Sequence, residues 1–248
     1  MPHQYLVAVC DILGFSNLVE QNPLDQVVDG ALGWFRRALH HSIHKDGFPP
    51  EVPHKAETDA HEHVGVAWFS DTVLLYSLRD DDEAARQLIM TVGWLIFETL
   101  LSSGRTKIRG GISYGEARMD RENSIFVGKA IVDAYRLERR QEWSGAALTE
   151  TACDRIPEYA RSGGYADWWV IPYGVPLKDG LTTNTLAINW TWGIHHPPWL
   201  RWSESAERPT DADWQDKPDI CRKFINTKAF HDALCHHCNP RSRVGLGA

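Results

Sequence analysis

The amino-acid sequence predicts an α+β protein, an antiparallel-rich sheet with helices packed on one face in the ferredoxin-like plan. Three observations carry this reading. Apolar, β-branched runs of strand length alternate with long amphipathic stretches, which sets the chain apart from an all-β protein. One such run, residues 64–77, is interrupted at its middle by a polar pair and so folds back on itself as a hairpin. The resulting order of strand, helix, hairpin, helix, strand, helix, strand lacks the strict strand–helix repeat of a doubly wound parallel sheet.

The first strand is YLVAVC, residues 5–10, which stops at a carboxylate, Asp11. A turn through Leu13, Gly14 and Phe15 follows, and a helix begins near Ser16. Residues 24–44 place Val27, Val28, Leu32, Phe35 and Leu39 near helical spacing, and Asp25 lies in the first turn, where the helix dipole favours an acid. Residues 45–63 hold three prolines and read as a surface loop, its histidines solvated. In VGVAWFSDTVLLYS, residues 64–77, Ser70 and Asp71 form the tip of the hairpin. A helix over 80–101 starts with three acids and buries Leu88, Val92, Leu95, Ile96, Thr99 and Leu100.

The strand KIRGGISYG, residues 107–115, carries two adjacent glycines, a sign of close approach by another backbone or a ligand. A helix is expected over 124–142, with Ile131, Ala134, Tyr135 and Leu137 apolar and Arg136 turned further inward than Arg139 and Arg140. The strand 146–149, a short helix from Glu150, and a hairpin of 168–177 with 183–192 across Lys178-Asp179-Gly180 come next. A proline- and tryptophan-rich tail, 195–218, and a final helix, 219–237, end the chain. We divide it into a domain over 1–193 and an extension over 194–248.

Composition narrows the function classes. A chain of 248 residues with a net charge of −7 is large enough for one core plus an appendage, and its acidity disfavours nucleic acid as a partner. Five irregularly spaced cysteines and no apolar run of membrane length suit free thiols in a reducing cytoplasm, away from any membrane. Eleven tryptophans, crowded toward the last third, point to aromatic packing.

The chemistry gathers at two carboxylates. Asp11 at a strand end and Asp71 at a hairpin tip face one another if the first strand lies beside the hairpin. Such a pair holds two divalent cations about 3.5–4 Å apart. Backbone N–H groups of the turn Leu13-Gly14-Phe15 and of Ser16 are placed for phosphate oxygens. The plainer alternatives are that Asp11 caps a helix and Asp71 is a turn residue.

DILGFS after a strand, the Ser-Asp hairpin, RGGISYG, and the run from Gly128 to the Arg136-Leu137 pair together resemble the catalytic domain of class III nucleotidyl cyclases over about residues 4–155. The resemblance implies metal binding by Asp11, the carbonyl of Ile12, and Asp71. It further implies that Arg136 reaches the triphosphate across a two-fold homodimer interface, so Asp11, Asp71 and Arg136 are the expected catalytic residues. The family's base-reading positions fall on Ala67 and Ile125, and its ribose-orienting asparagine on Val132. None of the three is polar.

Within the family, the DILGFS start, the RGGIS strand and the AYRLE helix look most like the pyrimidine cyclases of the bacterial Pycsar anti-phage system. That implies conversion of UTP, or less readily CTP, to a cyclic mononucleotide using two Mg²⁺ or Mn²⁺ ions per site. The product would activate a separate effector that makes no stable contact with the enzyme. Trp68, Phe69 and Phe126 are bulky enough to fill a pocket that lacks purine readers, and Arg109 and Tyr114 could donate to a pyrimidine edge. Rival readings are a nucleotide sensor without turnover, a purine cyclase, and a zinc site at Cys235 and Cys238.

Overall fold

The computed structural model describes residues 3–43, 63–101, 107–156, 169–191 and 216–237. Its centre is an eight-stranded sheet: β1 (His3–Ile12), β2 (Val64–Phe69), β3 (Thr72–Ser77), β4 (Ile108–Asp120), β5 (Ile125–Gly128), β6 (Gly145–Leu148), β7 (Val170–Pro176) and β8 (Thr182–Ile188). The strands lie in the order β2-β3-β1-β4-β6-β8-β7, with β5 added to β4. Every pairing is antiparallel except β4 with β6. The helices are α1 (Phe15–Gln21), α2 (Leu24–Gln26), α3 (Gly33–Ile43), α4 (Asp82–Leu101), α5 (Lys129–Arg140), α6 (Glu150–Arg155) and α7 (Pro218–His237), with a π-helical turn, Val27–Leu32, joining α2 to α3.

Period-two alternation along β1 decides what each face carries. Leu6, Ala8, Cys10 and Ile12 enter the main core with Phe35 and Leu39 of α3 and Leu88, Val92, Leu95 and Ile96 of α4. Val7 points the other way and packs with Tyr76 and with Ala130 of α5. Helices therefore cover both faces of the sheet, not one. α5 can lie flat on β4 because Gly111 has no side chain: a Cβ there would sit 2.1 Å from the Ala134 carbonyl oxygen and 2.7 Å from the Glu138 nitrogen.

Most elements fall where the hydrophobic periodicity puts them, and two differ. Val28 is exposed because the π-helical turn adds a residue and rotates the apolar stripe past it. The helix expected from residue 124 begins only at Lys129. Ile125–Gly128 is a strand paired with Ala117–Asp120, its β-branched Ile125 and Val127 both pointing outward. The loop 45–62 and the tail 192–215 lie outside the described residues.

The final helix docks against the sheet. Phe230 is fully buried among Trp143, Tyr173 and Trp190. Asn226 donates to the Glu142 carbonyl at 2.7 Å, and the Ser144 N–H donates to Thr227 Oγ1 at 2.8 Å. Trp143 and Trp190 thus serve packing here, while most tryptophans of the last third lie outside the described residues.

Candidate active site

The site is built where β1 and β3 end together. Asp11 and Thr72 are Cα partners, so the hairpin tip places Asp71 beside the end of β1, and the Ile12 N–H donates to the Asp71 carbonyl at 3.0 Å. The tip is a tight turn in which Ser70 takes a left-handed conformation (φ 56°). Thr72 Oγ1 donates to Asp11 Oδ1 at 3.1 Å, the one hydrogen bond to that carboxylate among the described residues. Burial pushes the Asp11 carboxyl up to about 6, and the nearby charges of Glu138 and Asp71 add to the rise. Repulsion between acids at a half-buried strand end is relieved by a cation.

The donor set therefore fits divalent metal: two carboxylates and the adjacent backbone carbonyl of Ile12, on the joined ends of β1 and β3. Among the described residues no group of three or more His, Cys, Asp or Glu side chains is placed to hold a metal ion, here or elsewhere, so any cation at this site would rest on the two carboxylates and the carbonyl. The side chains of Cys235 and Cys238 lie outside that description.

The turn after Asp11 is shaped as its sequence predicts. Gly14 takes a left-handed conformation (φ 76°), and α1 starts at Phe15 without a side-chain cap. The Leu13 N–H, however, donates to the Lys107 carbonyl at 2.8 Å, which leaves the N–H groups of Gly14, Phe15 and Ser16 as the ones to consider for phosphate.

Arg136 corrects the expectation of an inward arginine. Its side chain is 73% exposed, 3.7 Å from Asp133, at the rim of a groove of about 1010 Å³ between α5 and the β7–β8 hairpin. The helix buries Ala130, Ala134 and Glu138, and Arg136 lies off that stripe. Val132 and Ile125 are likewise exposed, and Phe69 is 85% exposed at the hairpin tip.

Strand alternation also sorts the pocket residues. Thr72, Leu74 and Tyr76 share the face of Asp11, and their partners on β2 are Phe69, Ala67 and Gly65. Trp68 is on the opposite face, packed edge-on against Phe35 at 5.4 Å, so it cannot fill a pocket on this one. The bulk on the Asp11 face comes from Tyr76, whose ring lies over Gly65 and 6.2 Å from Phe126. Tyr76 lies four residues beyond Thr72, the partner of Asp11, so period two puts it on this face; it is the first residue the sequence reading passed over.

Arg109 is 4% exposed and bound to Glu138, with Nε 2.7 Å from Oε1, Nη2 on the same oxygen, and Nη1 3.0 Å from the Gln141 carbonyl. Tyr114 donates its hydroxyl to Asp80 at 2.8 Å. Neither side chain is idle. Glu138, the acid of RLE, is the second residue the sequence reading passed over.

No protein-family model and no curated protein matches this chain. Solved structures do. The catalytic core of a rhodopsin-guanylyl cyclase with converted specificity, in complex with ATPαS, superposes with a TM-score of 0.52 at 14% identity, covering 75% of this chain and 95% of that one. The guanylate cyclase domain of RhGC from Catenaria anguillulae gives 0.49 at 14% identity over 75% and 96%. The first of these matches supports the assignment: the chain has the fold of a class III nucleotidyl cyclase catalytic domain.

Proposed function

We propose that the protein is a nucleotidyl cyclase that converts a pyrimidine nucleoside triphosphate, UTP before CTP, to its 3′,5′-cyclic mononucleotide and pyrophosphate. The observation that carries this reading is the pair Asp11 and Asp71, two carboxylates that form no ion pair among the described residues, at the joined ends of β1 and β3 in a sheet of cyclase fold. Asp11, Asp71 and the Ile12 carbonyl are the residues to hold metal. When bound there, Mg²⁺ or Mn²⁺ would supply Lewis acidity toward the ribose 3′-hydroxyl and neutralise the leaving pyrophosphate. The turn N–H groups from Gly14 to Ser16 receive phosphate oxygens.

Arg136 supplies positive charge to the transferring phosphoryl group. Because it projects away from the sheet that carries the acids, it serves the acids of a second copy, and the two-fold homodimer has shared sites. Exposed apolar side chains on and beside α5, among them Val127, Val132 and Tyr135, support such an interface. Selectivity for pyrimidines rests on the apolar Ala67, Ile125 and Val132 and on the ring of Tyr76. Delivery of the product to a separate effector in anti-phage defence belongs to the same reading and rests on the sequence resemblance alone.

The test is incubation with ATP, GTP, CTP and UTP in turn with Mn²⁺ or Mg²⁺, reading products by mass spectrometry. We expect one cyclic pyrimidine nucleotide, with turnover reduced about a thousandfold in Asp71→Ala. Mixing Asp71→Ala with Arg136→Ala chains restores activity if sites are shared. A cyclic purine overturns the pyrimidine assignment, and no product from any triphosphate moves the reading to a nucleotide sensor.

A further inference from the structure

Arg109 and Asp11 are direct cross-strand partners in the β1–β4 ladder, so their side chains emerge on one face of the sheet. Opposite charges at such positions ordinarily pair. Here they do not. Among the described residues no hydrogen bond or ion pair joins them, and the Asp11 carboxylate accepts from Thr72 alone. The guanidinium instead turns to α5, where Nε and Nη2 both bind Glu138 Oε1 and Nη1 binds the Gln141 carbonyl.

Glu138 is 1% exposed, and its Oε2 is buried with no hydrogen-bond partner. An acid placed only to satisfy a buried arginine would use both oxygens in the fork-to-fork arrangement. An arginine cannot be deprotonated, so left beside Asp11 it would neutralise that carboxylate permanently. A second buried acid, helped by the Gln141 carbonyl, holds it elsewhere. The close approach of α5 at Gly111 brings Glu138 to where it does so, and Gln141 locks the end of the helix by donating to the Gly110 carbonyl at 2.7 Å.

The geometry points to Glu138 as a positioning residue that captures Arg109 and so keeps the Asp11 carboxylate open to a divalent cation. This rests on the reading of Asp11 and Asp71 as the cation site. It assigns Glu138 no contact with metal or substrate. Beside the direct influence of its charge on Asp11, Glu138 acts through Arg109, and the position of Arg109 in the variant crystal reads that part alone.

The experiment is a crystal structure of Glu138→Gln together with Mn²⁺ titration of the nucleotide-free protein by calorimetry. In the variant, Arg109 swings onto Asp11, and Mn²⁺ affinity falls about tenfold to a hundredfold, the worth of one hydrogen bond to a charged group. In Arg109→Met/Glu138→Gln the competing charge is gone, and Mn²⁺ affinity returns to that of the unmodified protein. A merely structural Glu138 gives no such recovery. Arg109 remaining on residue 138, or a double variant as weak as the single one, overturns the inference.

If Glu138→Gln does not fold, the apolar pair Arg109→Met/Glu138→Leu is read in its place. Mn²⁺ affinity equal to the parent supports the capture, and a tenfold loss refutes it. Should the unmodified protein take up no Mn²⁺ at all, the cation reading fails. The position of Arg109 in the variant crystals still decides whether Glu138 holds it off Asp11.

Discussion

The two faces of β1 differ in what they leave unsatisfied. On one, Leu6, Ala8, Cys10 and Ile12 vanish into an apolar core, and burial pushes the Cys10 thiol pKa up. On the other, one residue out of step, the chain carries Val7, Val9 and then Asp11 with its single hydrogen bond. The same side of the sheet holds the buried Tyr76 hydroxyl and Glu138 Oε2, neither with a hydrogen-bond partner among the described residues, where the main core leaves only the Trp190 indole N–H in that state among its own described members. One face contributes stability, and the other gives some of it up to hold charges in place.

The largest test of this contrast makes one substitution on each face. Gly111→Ala drives a methyl group into the α5 backbone, which must lift off β4. We expect a loss of about 3 kcal/mol or more in urea denaturation, together with loss of Mn²⁺ binding. Gly93→Ala, on α4, meets only Ile188 Cγ2 at 3.4 Å and should gain up to about 1 kcal/mol from helix propensity. Equal effects at the two positions would break the contrast.

Asp11→Asn comes next. The folded protein holds its Asp11 proton more tightly than an ordinary carboxylate, with the pKa up at about 6, so ionisation of this group costs folding stability as pH rises from about 4 to 6, and the full penalty applies above 6. Removing the charge should therefore stabilise the metal-free protein at pH 7.5 by about 1–2 kcal/mol, after allowing for solvent screening, and hardly at all at pH 4. Denaturation of both proteins in chelator at the two pH values reads the difference. A variant no more stable than its parent at pH 7.5 would mean that Asp11 ionises as it does in water.

How far the sequence carries these conclusions differs from residue to residue. The strand ending at Asp11, the hairpin turning at Ser70-Asp71 and the burial of α4 follow from periodicity and turn chemistry, which are local. Which face Trp68 or Tyr76 serves follows from the pairing of Phe69 with Thr72 and of Thr72 with Asp11: Tyr76 is an even step from Thr72 and Trp68 an odd step from Phe69. The outward Arg136 could not be read from its apolar neighbours, because helix burial here centres on Ala130, Ala134 and Glu138, and that stripe is chosen by Gly111 on a distant strand. The capture of Arg109 is a tertiary event joining β4 to the end of α5. Neither RGG nor RLE alone announces it.

Tyr76→Phe gives the smallest expected effect and the finest reading of the Asp11 face. Burial raises the Tyr76 hydroxyl pKa, and that hydroxyl has no hydrogen-bond partner among the described residues, so the fold bears its desolvation without return. Removing one oxygen while keeping the ring against Gly65, Tyr5 and Phe126 should stabilise the protein by about 1 kcal/mol or less, measured by the midpoint of urea denaturation at constant slope. A loss of stability would mean that the hydroxyl binds an ordered water. The Asp11 face would then keep its polar groups satisfied by solvent, and the difference between the two faces would narrow to the carboxylates alone.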